Sequence, residues 1–199
     1  MERSDEDLWS AACAGDQAAF TEIFHRYGNS VLTQCVRRAG STEGSEDMVS
    51  NTFLEAWRSR RNVRFLDGSM RPWLLVVAHH VAATHVRTQT RQRSIITRAG
   101  HLLSPADDAR PDIEASLDAQ SLAPLLAAAI SGLSRAEQDL VALCDLAGYS
   151  PSDAAAVLGL PVGTVKSRRS RAHSKMRASL GPAAAYALGL NVAGEAVSS

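Results

Sequence analysis

The 199-residue sequence has no long apolar run, no cysteine framework and no net charge. No stretch approaches the roughly 20 apolar residues that cross a bilayer. The first residues, Met1-Glu2-Arg3-Ser4-Asp5-Glu6-Asp7, are too acidic for a signal peptide. A cytoplasmic chain with no membrane insertion is expected. Cys13, Cys35 and Cys144 are odd in number and far apart, which excludes a disulfide framework or a C-x-x-C metal knuckle and leaves reduced, core-packed thiols. There is no glycine-rich phosphate loop, and no serine or cysteine nucleophile comes with a base motif. His79, His80 and His85 invite a metal reading. However, helical spacing spreads the first two by about 100°, and no carboxylate or cysteine stands nearby. The expectation is a chain with no enzymatic activity, no cofactor and no metal.

The missing net charge conceals a pattern. Twenty-one Lys and Arg balance twenty-one Asp and Glu, but residues 1–60 carry 6 basic against 10 acidic groups and residues 61–110 carry 8 against 3. Residues 111–165 then carry 1 against 7, and residues 166–180 carry 6 against none. Two basic blocks alternate with acidic ones, as expected if the basic blocks lie along DNA phosphates and the acidic ones face a protein. On charge alone, solvated helix faces are an equal alternative.

Aromatics are scarce and one-sided: eight of the ten precede residue 74, and only Tyr149 and Tyr186 follow. Two separate cores are expected. Arg98 to Asp112 gathers Gly, Ser, two Pro and three Asp with no period, which marks a linker. The division expected is a first helical domain at 1–97, a flexible linker at 98–117, a second helical domain at 118–180 and a disordered tail at 181–199.

No β-branched alternation occurs, so the fold class expected is all-α. Ser4 caps a first helix. Asp16 caps a second, with Phe20, Ile23, Phe24 and Tyr27 at i, i+3, i+4 and i+7. A separate third helix carries Val31, Leu32, Cys35 and Val36 and stops at Gly40. A fourth, from about 46 to 60, sets Val49, Phe53, Ala56 and Trp57 on one side and Glu46, Ser50, Asn51 and Glu55 on the other. Pro72 stands near the start of a long helix that begins apolar and ends basic. Pro124 opens a helix ending near Gly132, and Ser134 with Glu137 forms a capping box for one ending at Gly148. Ser150-Pro151 starts a short helix closed by Gly159.

That short helix, a tight Gly turn and an Arg/Lys-rich helix form a helix-turn-helix pattern over about 150–180. Thr164, Ser167, Arg168 and Arg171 share an arc of about 100°, and Val165, Ala172 and Met176 group opposite. Arginine suits bidentate contact with guanine, and Lys166, Arg169, Lys175 and Arg177 suit phosphates. The other basic block collects Arg87, Arg91 and Arg93 at the end of the long helix with Arg61, Arg64 and Arg71 before it. It reads equally as a DNA contact or as a helix end favoured by the macrodipole. Trp57 and Trp73 fit base stacking or, more simply, a core. A linker of 15–20 residues reaches roughly 20–25 Å on average and about 60 Å extended, enough for a two-part DNA element.

These residues resemble a known family. Ser45-Glu46-Asp47-Met48-Val49-Ser50-Asn51-Thr52-Phe53-Leu54-Glu55-Ala56-Trp57-Arg58 and Arg71-Pro72-Trp73-Leu74-Leu75-Val76-Val77-Ala78-His79 resemble region 2 of the extracytoplasmic-function (ECF) sigma factors. Leu133-Ser134-Arg135-Ala136-Glu137-Gln138 and Ala154 through Arg168 resemble region 4. The resemblance implies a factor that binds core RNA polymerase, reads promoter DNA at −10 through region 2 and at −35 through region 4, and answers to an anti-sigma factor. It implies that Glu46, Asp47, Ser50, Asn51 and Glu55 meet polymerase. It also implies that the loop Arg64–Arg71, with Phe65, holds a flipped −10 base, and that His79, His80, Ala83, Arg87 and Arg91 follow the non-template strand. Thr164, Lys166, Ser167, Arg168, Arg171 and Lys175 then face −35. Ser50-Asn51 stands where Gln-Glu is usual, His79-His80 where Arg-Asn is common, Thr84 where Asp is usual, and Arg169 where Leu is usual. A stand-alone helix-turn-helix regulator is the alternative, although its motif leaves residues 45–91 unexplained.

Overall fold

The computed structural model describes residues 3–101, 119–187 and 190. The described residues form eight α-helices and no strand: α1 (Asp5–Cys13), α2 (Gln17–Ala39), α3 (Ser45–Arg58), α4 (Arg71–His101), α5 (Ala119–Ser131), α6 (Arg135–Leu140), α7 (Pro151–Leu158) and α8 (Val162–Ala187). The all-α expectation holds.

The capping chemistry sets most of the helix starts. The Asp7 amide donates to Ser4 Oγ at 3.1 Å and the Ala19 amide to Asp16 Oδ1 at 3.1 Å. Ser150 accepts from the Asp153 amide while Asp153 accepts from the Ser150 amide, with Pro151 in the first turn. Gly40 and Gly159 close α2 and α7 with φ of 73° and 65°, a left-handed conformation that glycine adopts without steric cost.

Three expectations are corrected. Residues 17–39 form one helix where two were expected. Gly28 costs a helix about 1 kcal/mol, but Tyr27 and Val31 on either side of it are buried in one core, which outweighs that cost. Pro124 lies inside α5, not at its start; in the second turn it forfeits the bond to the carbonyl four residues back, and its ring crowds that carbonyl. The helix expected at 134–148 is α-helical only to Leu140 and then π-helical over Val141–Leu146, where the Ala147 amide bonds to the Ala142 carbonyl at 3.1 Å.

Helices α1–α4 surround a core of Leu8, Trp9, Ile23, Val31, Met48, Phe53, Met70, Leu74, Ala78 and Ala82. Its aromatic edge is built from near-perpendicular pairs, Phe20–Trp57 at 5.5 Å and Trp9–Trp57 at 6.2 Å, a geometry that the ring quadrupoles favour. The second half has two clusters. One joins Ile130, Leu133, Val141, Ala172 and Met176 to Ala185 and Leu190. The other gathers Leu140, Leu143, Ala154, Val157 and Val165, and Leu66, Trp73 and Val76 of the first half pack against it. The buried residues of each half thus form their own clusters, and the two halves meet where these three partly buried side chains pack on the second. Beyond 180, where a tail was expected, α8 bends at Gly181 and runs to Ala187, and Ala184, Ala185 and Leu190 are buried. The first residues of the expected linker, 98–101, continue α4. Residues 102–118, 188–189 and 191–199, onto which the rest of the linker and tail expectations fall, lie outside the described residues.

Candidate nucleic-acid interface

The second helix of the helix-turn-helix shows two faces. Val165, Ala172 and Met176 are buried, while Lys166, Ser167 and Arg171 are exposed and Thr164 and Arg168 are half-buried beside them. The packed side is tied down by two acids. Asp145, on the π-helical turn, accepts from Arg169 Nη2 at 2.6 Å, from Arg169 Nε at 3.1 Å and from His173 Nε2 at 3.1 Å. Arg169 thus occupies its packing-side position by meeting a carboxylate; its pKa is raised, mainly by that bond. Glu137, which caps α6 by accepting from the Ser134 amide at 2.9 Å, also accepts from Lys175 Nζ at 2.8 Å. Lys175, assigned to the DNA face, is engaged here in holding α8 on α6. That ammonium, with Ser134, holds the Glu137 carboxyl down at about 2.

The loop before α4 is held by an acid that sequence reasoning treated only as part of a capped first turn. Asp5 is buried, accepts from the Met70 amide at 2.9 Å and from Arg26 at 2.6 Å, and is hydrogen-bonded by the Tyr27 hydroxyl. Burial, followed by this contact, pushes the Tyr27 phenol up to about 12. Ser69 Oγ bonds the same hydroxyl and accepts from the Arg71 amide, which sets the direction in which Arg71 leaves the loop. Leu66 and Ser69 exchange backbone bonds of 2.8 and 2.9 Å around Asp67-Gly68, both at positive φ, as in a tight hairpin turn. This presents Arg64 outward and leaves Phe65 half-buried against the first core.

Along α4 the assigned residues diverge. Arg87 and Arg91 are exposed. Ala83 is buried, and His79 is 0 % exposed with neither ring nitrogen hydrogen-bonded among the described residues. Burial, helped by Arg38 and His80, drives the His79 pKa well below that of an ordinary histidine. His80 Nε2 lies 2.5 Å from Asp139 Oδ1. Arg71 Nη1 donates to the Tyr149 hydroxyl at 3.0 Å, its Nε bonds Ser30, and its guanidinium lies 5.9 Å from the Tyr149 ring centroid. Asp139 and Tyr149 both belong to the second half. Sequence reasoning had no signal for either partner.

On α3, Met48, Thr52, Phe53 and Ala56 face the core, and Glu46, Asp47, Ser50, Asn51 and Glu55 are exposed together on the outer side. Leu54, 53 % exposed, and the partly exposed Phe24 add apolar surface near that face, which the pattern of charges did not indicate.

An acid-rich helix face, a basic-ended long helix and a helix-turn-helix define a sigma-type transcription initiation factor, and the comparisons agree. The family model described as "Sigma-70 region 2" matches residues 23–92, and that described as "Sigma-70, region 4" matches residues 124–176. The ECF RNA polymerase sigma factor SigE of Mycolicibacterium smegmatis is 30% identical over 182 residues, covering 89% of this chain and 69% of the relative. SigM of Mycobacterium tuberculosis is 28% identical over 180 residues, covering 90% and 86%. SigC of the same species is 35% identical over 144 residues, covering 69% and 71%. The solved structure of CnrH, in complex with the cytosolic domain of CnrY, superimposes with a TM-score of 0.51 at 26% identity over 89% of this chain and 97% of that one. The chain belongs to the ECF sigma factors, initiation factors of RNA polymerase. Among the described residues no helix is long and apolar enough to cross a membrane.

Proposed function

We propose that this chain recruits core RNA polymerase in the cytoplasm through the outer face of α3 and directs it to two-part promoters. Arg64, Phe65, Arg71, His80, Arg87 and Arg91 serve the −10 element, with buried His79 and Ala83 supporting the helix that carries them, and Thr164, Lys166, Ser167, Arg168, Arg171 and Lys175 serve the −35 element. Residues 1–97 and 118–180 act as the two functional domains, and 98–117 as the connection between them. The chain does so without enzymatic activity or cofactor. The observation that carries the reading is the two-faced α8, with Lys166, Ser167 and Arg171 exposed opposite buried Val165, Ala172 and Met176. An α-helix of this kind fits a major groove, where Arg168 and Arg171 can reach guanine. An anti-sigma protein is proposed as regulator, since CnrH, a structural neighbour, is bound to CnrY.

The decisive experiment is reconstituted transcription from a randomised promoter library with purified chain and core polymerase. Enrichment of paired −10 and −35 sequences, lost when either is scrambled, is expected. Tight sequence-specific binding by the free chain, with no polymerase-dependent transcript, would instead identify a stand-alone regulator. The zero net charge argues against that outcome: few phosphates are neutralised and the acidic segments repel DNA, so the free chain should bind weakly.

A further inference from the structure

The outer side of α2 and the start of α4 border a cavity of about 250 Å³ whose lining includes Asn29, Ser30, Thr33, Arg37 and Arg71. Asn29, Thr33 and Arg37 recur every four residues and so share one stripe of α2. Arg71 is the first residue of α4, and Leu146 and Ala147 add to the lining from the end of the π-helical segment. No aspartate or glutamate lines this cavity among the described residues. Other basic groups differ in that respect. The groove that holds Arg58 and Arg135 also holds Glu55, and Arg169 and Lys175 are paired with Asp145 and Glu137.

Both guanidiniums are held by neutral acceptors. Arg37 Nη1 donates to the Leu146 carbonyl, while Arg71 donates from Nη1 to the Tyr149 hydroxyl at 3.0 Å and from Nε to Ser30 Oγ at 3.3 Å. These bonds fix both side chains without cancelling either charge, since neither guanidinium meets a carboxylate among the described residues. They also leave donors over. Arg37 Nε and Nη2, Arg71 Nη2 and the Asn29 amide have no acceptor among the described residues, and Ser30, which accepts from Arg71, keeps its own proton to give. Two positive charges and a set of free donors thus border a cavity whose described lining carries no negative charge.

A phosphoryl group is the ligand that this set fits. Its oxygens accept from several directions, and a monoester carries about −1.5 to −2 at neutral pH, close to the charge of the two guanidiniums. The planar fork of arginine offers paired N–H groups to phosphate, and such charge-assisted bonds are about twice as strong as neutral ones. A carboxylate would use fewer of the donors and balance only one charge. The cavity is smaller than the roughly 300–1,000 Å³ of drug-sized pockets, which suits a phosphoryl group with a small body attached. We infer that this α2–α4 cavity is a phosphate-monoester site in which Arg37 and Arg71 hold the phosphoryl oxygens and Ser30 and Asn29 complete the set. Arg71 also belongs to the −10 residues proposed above, but Arg37 does not, and the site requires neither polymerase nor promoter.

Isothermal titration calorimetry of the full chain with inorganic phosphate, at an ionic strength held constant with chloride, tests the site. Saturable binding with a Kd of about 1 mM or tighter is expected, and phenyl phosphate should compete for it. Arg37→Gln should weaken phosphate binding at least about tenfold. Arg37→Lys, which keeps the charge but loses the fork, should weaken it less. Arg58→Gln, exposed on α3, should leave it unchanged; equal weakening by that variant would reveal a general charge effect and overturn the site. Absence of saturation in the wild type overturns it whatever the variants do, as does undiminished binding by a folded Arg37→Gln chain. If a single-stranded oligonucleotide without terminal phosphates displaces phosphate and phenyl phosphate does not, the ligand is a backbone diester and the monoester assignment fails. The titration contains no polymerase, so its result is separate from that of the promoter-library experiment.

Discussion

The two surfaces proposed to meet DNA carry similar positive charge but sit in opposite situations. On α8, the packing side is completed from within its own half, by Asp145 and Glu137, and Lys166, Ser167 and Arg171 on the other side are left to solvent. On α4, Leu74, Ala78 and Ala82 serve the first core, while Arg71, His79, His80 and Ala83 are buried, bonded across to the second half, or both. A long helix between two cores has few positions to spare. The lesson is that a recognition helix with its own small core can keep its reading face free, whereas a helix shared between halves exposes one surface only by giving up another.

Four tests would sharpen or break that contrast. The largest effect is expected from Leu74→Ala, which removes a fully buried side chain from the α4 side of the first core; urea unfolding should show a loss of about 2–5 kcal/mol. A loss under 1 kcal/mol would mean that α4 is not the shared strut described above. Next, Arg168→Ala or Arg171→Ala should reduce −35-dependent transcription roughly 5- to 150-fold, the equivalent of about 1–3 kcal/mol, with polymerase binding unchanged. Equal loss on promoters with a scrambled −35 would contradict base reading by α8.

The third concerns His79. Its folded pKa lies below its unfolded one, so the folded state binds fewer protons as acid is added. Its stabilising contribution is complete above about pH 6.5 and declines as the pH falls below that, by at most about 1.4 kcal/mol per pH unit for one proton. His79→Leu should flatten the decline between pH 6.5 and 5 in thermal unfolding, and an unchanged slope would place the titrating group elsewhere. The smallest effect is expected from Arg87→Ala at the exposed end of α4. The logarithmic salt slope for single-stranded DNA binding by the polymerase complex should drop by about 0.7, and no drop would remove Arg87 from the phosphate track.

Much of this was legible in the residues because it is local. Ser4, Asp16 and Ser150-Pro151 satisfy amides within three residues of themselves, so the helix starts follow from chain chemistry alone. The faces of α3 and α8 follow from a 3.6-residue period, and Val165, Ala172 and Met176 are buried as that period implies. The continuity of α2 across Gly28 was not legible, because the burial of Tyr27 and Val31 that outweighs the glycine's local penalty depends on α1, α3 and α4 being in place. Arg38 reads as a basic residue in the last turn of a helix, favourable to the macrodipole; its burial beneath α5 has no local signature. Asp5 likewise reads as one of three acids in a first turn, yet it alone turns inward to hold Tyr27 and Met70.

By itself, then, the sequence determined the helical class, most of the caps, the two-faced helices and the alternation of charge that neutrality concealed, since each depends on neighbours a few residues apart. Only the tertiary structure decided which basic residues are free to meet a nucleic acid. That depends on contacts such as Arg38–Ala127 and His80–Asp139, 89 and 59 residues apart, whose stability rests on the desolvation of whole surfaces and is not a property of either segment.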